Sequence, residues 1–100
     1  MDIKVFKKSA QFIVKRNVSE RIARVLATFE PQEGILHLIY CTRGTPASDD
    51  FEDCEIACAE LIAEFPEIKK AKTQCLSSEE YLLENDKDEV FSSTVGWELR

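Results

Sequence analysis

The stretch SDDFEDCEIACAELIAEFP, Ser48 to Pro66, decides how the rest of the chain is read. Ser48 suits an N-cap, and Asp49, Asp50 and Glu52 fall in the first turn, where the helix dipole favours negative charge. Phe51, Cys54, Cys58, Leu61, Ile62 and Phe65 recur at i, i+3, i+7, i+10, i+11 and i+14, one apolar stripe at helical spacing. Pro66 ends the run, because a proline ring disfavours helical geometry in the residue before it. The spacing predicts an amphipathic helix from Ser48 to Phe65.

On its N-terminal side, Arg43 to Ala47 contains Gly44 and Pro46 and reads as a loop. Before it lie two extended runs. From Arg21 to Phe29, Ala23, Val25, Ala27 and Phe29 alternate with Ile22, Arg24, Leu26 and Thr28. From Ile35 to Thr42 both faces are apolar, which suits a central strand. Pro31 to Gly34 supplies turn chemistry between them, so the pair reads as a β-hairpin. A helix from Val18 to Thr28, opened by Ser19 and Glu20, is the rival reading. Ile3, Phe6, Ala10, Ile13 and Val14 predict an N-terminal amphipathic helix over residues 3–17, with a short hairpin as the alternative.

Beyond Pro66, Ile68 to Leu76 reads as a strand whose lysines suit a sheet edge. Residues 77–89 are polar and acidic, with a partial strand expected at Tyr81 to Leu83. A last strand is expected from Val90 to Leu99. The order αββαβ(β) defines an α+β fold with helices packed on one face of a mostly antiparallel sheet.

A chain of 100 residues is expected to form a single domain over residues 1–100. No apolar run approaches the roughly 18–20 residues of a membrane span. The start, MDIKVFKKSAQ, lacks the continuous apolar core of a secretory signal. The expected setting is cytoplasmic and soluble.

The net charge of −6 conceals an asymmetry. Residues 1–43 carry eight Lys/Arg against four acids, whereas residues 44–100 carry five against fifteen. From Ala47 to Glu67 there are eight acids and no base, and Glu79, Glu80, Glu84, Asp86, Asp88 and Glu89 form a second cluster. Such a surface repels nucleic acid and attracts basic partners, most strongly at low salt.

Catalytic constellations are missing from the sequence. The lone histidine, His37, falls inside a strand, and three glycines build no phosphate cradle. Cys41, Cys54, Cys58 and Cys75 are separated by 12, 3 and 16 residues, without the C-x-x-C spacing of a zinc or redox site. Cys54 and Cys58 sit on the helix stripe, and Cys41 and Cys75 are expected to join the same core as free thiols. The acids at 49–53 depart from the EF-hand pattern. The expectation is a protein without catalytic activity, metal or cofactor.

Between Leu36 and Pro66 the chain resembles the small bacterial immunity proteins found beside polymorphic toxins, including those of contact-dependent growth inhibition systems. The resemblance rests on a hairpin strand, a short Gly/Pro loop, the acidic helix start from Ser48 to Asp53, and the helix ending ELIAEFP. The closing GWELR, Gly96 to Arg100, is similar to the final strand of such proteins. It implies an antitoxin that binds a cognate toxin's catalytic domain, such as a nuclease, and blocks it by stoichiometric occlusion. An acidic rim suits that role, because phosphate-binding enzymes are commonly basic and rim charges raise the association rate. The rim candidates are Asp49, Asp50, Glu52, Asp53, Glu79, Glu80, Glu84, Asp86, Asp88 and Glu89. Tyr81 and Phe51 are candidate anchors, although Phe51 also opens the core stripe. The competing expectation is a structural or regulatory homodimer joined through the sheet edge at Ile68 to Leu76.

Overall fold

A computed structural model describes residues 2–77 and 89–92. The elements run α1 (Ile3–Arg16), β1 (Ile22–Glu30), β2 (Ile35–Thr42), α2 (Ser48–Glu64), β3 (Lys70–Ser77) and β4 (Glu89–Ser92). The strands form one sheet in the order β3-β2-β1-β4. β1 pairs antiparallel with β2 and with β4, while β2 and β3 are parallel, joined by the crossover through α2. The α+β fold with both helices on one face of a mostly antiparallel sheet is therefore present, and β3 takes the edge position its lysines suggested. The partial strand expected at Tyr81 to Leu83, and most of the strand expected from Val90 to Leu99, lie outside the described residues.

The hairpin reading of 21–42 holds over the rival helix. Gly34 closes the turn at φ 69°, and its N–H donates to the Glu30 carbonyl at 2.8 Å. The position is also crowded: a Cβ there would lie 2.7 Å from the Lys69 side chain and 2.8 Å from the Glu67 carbonyl oxygen. The Gly34 carbonyl accepts from the N–H groups of Lys69 and Lys70, which ties the hairpin turn to the entrance of β3. Glycine is thus required twice over, by dihedral and by space.

The core lies between the sheet and the helices. α1 contributes Phe6, Ala10, Ile13 and Val14; α2 contributes Cys54, Ala57, Cys58, Leu61 and the capping Phe65. From the sheet come Val25, Ala27, Leu36, Leu38, Tyr40 and Cys75. The Phe6 ring meets Phe65 edge-on at 5.5 Å and Phe29 at 6.1 Å, pinning the start of α1 against the end of α2 and the end of β1. Tyr40 is fully buried, and its hydroxyl donates to the Asn17 carbonyl at 2.9 Å, so the burial leaves no orphaned polar group there. Burial raises the Tyr40 hydroxyl pKa far above its usual value.

Several residues sit differently from their sequence reading. Strict alternation put Ile22 on the face opposite Val25. The register of β1 against β2 shifts between Ile22 and Arg24, so Ile22 joins Val25 in the core. Ile3, assigned to the apolar stripe of α1, is exposed. Phe51 and Ile62, assigned to the stripe of α2, are 49% and 41% exposed; Ala57 takes the inner position instead. Ala47 rather than Ser48 occupies the N-cap of α2. Cys75 joins the core beside the helices as expected. Cys41 is buried on the opposite face, because β2 pairs Tyr40, not Cys41, with Cys75.

Candidate protein-binding surface

The N-terminal turn of α2 divides its acids between two tasks. Asp50 follows the helical spacing of the inner residues Cys54, Ala57 and Leu61, and its side chain is 1% exposed. It accepts from Arg21 Nε at 3.1 Å on both oxygens and from Nη2 at 2.9 Å. It also accepts the Ala47 N–H at 2.8 Å, satisfying a backbone donor at the helix entrance. Arg21 Nη2 donates further to the Thr45 carbonyl at 2.8 Å. One guanidinium thus ties the start of β1 to the 43–47 loop and to α2. These hydrogen bonds to Arg21 hold the Asp50 carboxyl below its ordinary value of 3.8, against the opposing effect of burial. The same contact raises Arg21.

Asp49, Phe51 and Glu52 are exposed, and Asp53 is half-buried. Partial burial, then repulsion from Asp49, Asp50 and Glu52, raises the Asp53 carboxyl pKa. The first turns of α2 therefore expose Asp49, Phe51 and Glu52, leave Asp53 half-buried, and turn Asp50 inward as a structural group. Glu89 lies in β4 opposite Leu26. Glu79, Glu80, Tyr81, Glu84, Asp86 and Asp88 lie outside the described residues.

The two helices form one surface layer of opposite charge. α1 carries Lys4, Lys7, Lys8, Lys15 and Arg16 with no acid; α2 carries Asp49, Asp50, Glu52, Asp53, Glu55, Glu60 and Glu64 with no base. They run antiparallel, as their seam shows: Ser9 Oγ donates to Glu64 Oε2 at 2.9 Å, and Arg16 Nη2 to Glu60 Oε1 at 2.8 Å. The Arg16 guanidinium also lies over the Phe12 ring at 4.9 Å. A mainly apolar groove of about 340 Å³ opens along this seam, lined by Val5, Lys8, Ser9, Phe12 and Glu64. The sequence reading missed Phe12 and Val5. Their i, i+7 spacing marks a second apolar line on α1, outside the core stripe.

Reactive chemistry is not gathered anywhere on this surface. Burial pushes the Cys54 and Cys58 thiols up and raises Cys75 to about 11, which keeps these sulfurs protonated and poorly nucleophilic. His37 lies half-buried on the sheet face away from the helices, paired with Thr28 and Lys72 in register. Among the described residues, no three His, Cys, Asp or Glu side chains cluster as metal ligands.

A small α+β domain whose most distinctive surface is a charged, partly apolar helical layer belongs to the class of protein-binding modules. The chain matches the MafI2 immunity protein family over residues 7–93 and belongs to that family. No curated protein matches it. It is thus an immunity protein of a bacterial toxin system, and the family implies a cognate toxin as its partner.

Proposed function

We propose that this immunity protein acts in the cytoplasm, neutralising the catalytic domain of its cognate toxin by stoichiometric occlusion through an acidic surface. The toxin domain we infer is a basic nuclease of a polymorphic or contact-dependent growth inhibition system. One observation carries the reading: the first turns of α2 leave Asp49 and Glu52 exposed together with Phe51, a ring 49% exposed. A desolvated aromatic supplies affinity, whereas surrounding charges mainly speed encounter. Speed matters to an inhibitor that must act before catalysis begins. Asp50 supports this surface by fixing the helix start and is not itself part of the contact. Glu79, Glu80, Glu84, Asp86, Asp88 and Glu89 are the further acids proposed for the rim, and Tyr81 is the second proposed anchor. No helix among the described residues is long and apolar enough to cross a membrane.

The test uses the catalytically inactivated domain of the cognate toxin, with binding followed by stopped-flow and calorimetry at low and moderate salt. Reversing Asp49 and Glu52 to lysine lowers the association rate by about ten-fold at low salt, and less at moderate salt. Phe51→Ala weakens affinity by about thirty-fold, mainly through faster dissociation. Unchanged rates and unchanged protection after reversal of both acidic clusters would remove the acidic surface from the mechanism.

A further inference from the structure

We propose that this chain associates with a second copy of itself through the helical layer, α1 of each copy lying across α2 of the other. Among the described residues the exposed large apolar side chains are Ile3, Val5, Phe12, Phe51, Ile56 and Ile62, and every one is on a helix. Phe12 leads them at 64% exposed. A monomer gains nothing from concentrating these groups on one layer, and such patches mark interaction sites.

Charge chooses the occupant. The outer line of α1 runs Val5, Lys8, Phe12, Lys15, all exposed, on a helix without an acid. The outer line of α2 includes Ile56, Ala59 and Ala63, also exposed, on a helix without a base. A partner complementary to both helices must present an acidic apolar strip beside a basic apolar strip, separated as α1 and α2 are. A second copy of this chain presents that pattern.

Symmetry then fixes the arrangement. A two-fold axis running parallel to the helices, above their seam, sets α1 over the partner's α2 in antiparallel orientation and repeats the contact identically on the other side. An axis across the helices would set α1 on α1 and α2 on α2, joining like charges. Rotation about the parallel axis preserves height along the helices. The Ser9–Glu64 and Arg16–Glu60 contacts put Phe12 level with the Glu60 to Glu64 turn, so Phe12 packs near Ile62 and Ala63 of the second copy.

The lengths also set the strength. At 1.5 Å per residue, the 14 residues of α1 span about 21 Å. Two helices side by side then cover about 400 Å² per copy, below a standard-size interface, so the dimer is weak and concentration-dependent. The first turns of α2 project beyond the end of α1. Phe51 and Asp49 therefore stay uncovered, and this association stands or falls independently of toxin binding.

Sedimentation velocity and light scattering on the full chain, over a wide concentration range, test the proposal. The expected result is conversion from 11.4 kDa monomer to a species of twice that mass, weakened by added salt. Phe12→Glu, at an exposed position, keeps the native circular dichroism and melting behaviour while weakening the dimer by about thirty-fold. Lys8→Gln with Lys15→Gln weakens it less. A wild-type chain that stays monomeric at every concentration overturns the proposal. So does a dimer indifferent to Phe12→Glu, or one strengthened by the lysine replacements, because only α1-on-α1 packing gains from neutralising α1.

Discussion

Both helices rest on the same face of the sheet, run antiparallel and bury a similar set of apolar side chains, yet their outer surfaces have opposite sign. α1 keeps its inner line free of charge. Phe6, Ala10, Ile13 and Val14 face inward, and the lysines with Phe12 face outward. α2 does not, because an acid sits on its inner line at Asp50, while both helices carry apolar groups outside, at Ile3, Val5 and Phe12 and at Phe51, Ile56 and Ile62. Helical periodicity says which residues share a face. It does not say which face the sheet covers when both carry apolar groups.

The comparison breaks most visibly at the inner line of α2. Leu61 is fully buried among α1, α2 and the sheet. Leu61→Ala should cost about 3 kcal/mol in urea unfolding, through lost transfer energy and the cavity left behind. Ile62→Ala, one residue away and 41% exposed, should cost far less. Equal losses would mean that α2 is rotated relative to the sheet.

A second contrast lies within the acidic turn. Asp50→Ala removes the carboxylate that holds Arg21 and caps the Ala47 N–H, and should cost about 2 kcal/mol. Arg21 is 41% exposed and can turn toward water, which keeps the loss below that of a fully enclosed ion pair. Asp49→Ala should leave the unfolding midpoint nearly unchanged, because the side chain is exposed.

The smallest effect is on pH dependence, and here two neighbouring aspartates act in opposite senses. The folded Asp50 carboxyl binds its proton less tightly than the unfolded one, whose ordinary value is 3.8. Its contribution is complete above that value and is lost as pH falls through the lower folded value. Asp53 is raised, so it penalises folding at neutral pH, and the penalty disappears once pH falls below 3.8. Asp50→Asn should therefore flatten the acid limb of a stability–pH profile measured from neutral pH to about pH 2. Asp53→Asn should raise neutral stability by only about a few tenths of a kcal/mol, because solvent screens a half-exposed group.

Much of the architecture was legible from local pattern. The hairpin, the two helices and the edge position of β3 follow from alternation, turn residues, spacing and lysines. What remained hidden depends on tertiary placement. The bulge that returns Ile22 to the core leaves no mark in an alternating sequence. The parallel pairing of β2 with β3 depends on how α2 crosses the sheet. The separate role of Asp50 did leave a trace, since it shares helical spacing with Cys54, Ala57 and Leu61. Reading the acids as one charged run obscured it. For the proposed binding surface, charge singled out the acids at the start of α2, but the exposure of Phe51 required the fold. Phe12 escaped notice because a second apolar line beside a stronger one resembles a wider core face.

Gly34 and Gly44, both in left-handed geometry, have a practical consequence for labelling. Gly34 is pressed against Lys69 and Glu67, whereas a side chain at Gly44 would meet nothing within 4 Å. A side chain or label placed at Gly34 would force the entrance of β3 away from the hairpin turn. The 43–47 loop offers open space just ahead of Asp49 and Phe51. A cysteine-directed dye on that loop, with the four native thiols buried, would give a reporter that senses an incoming protein without disturbing the sheet.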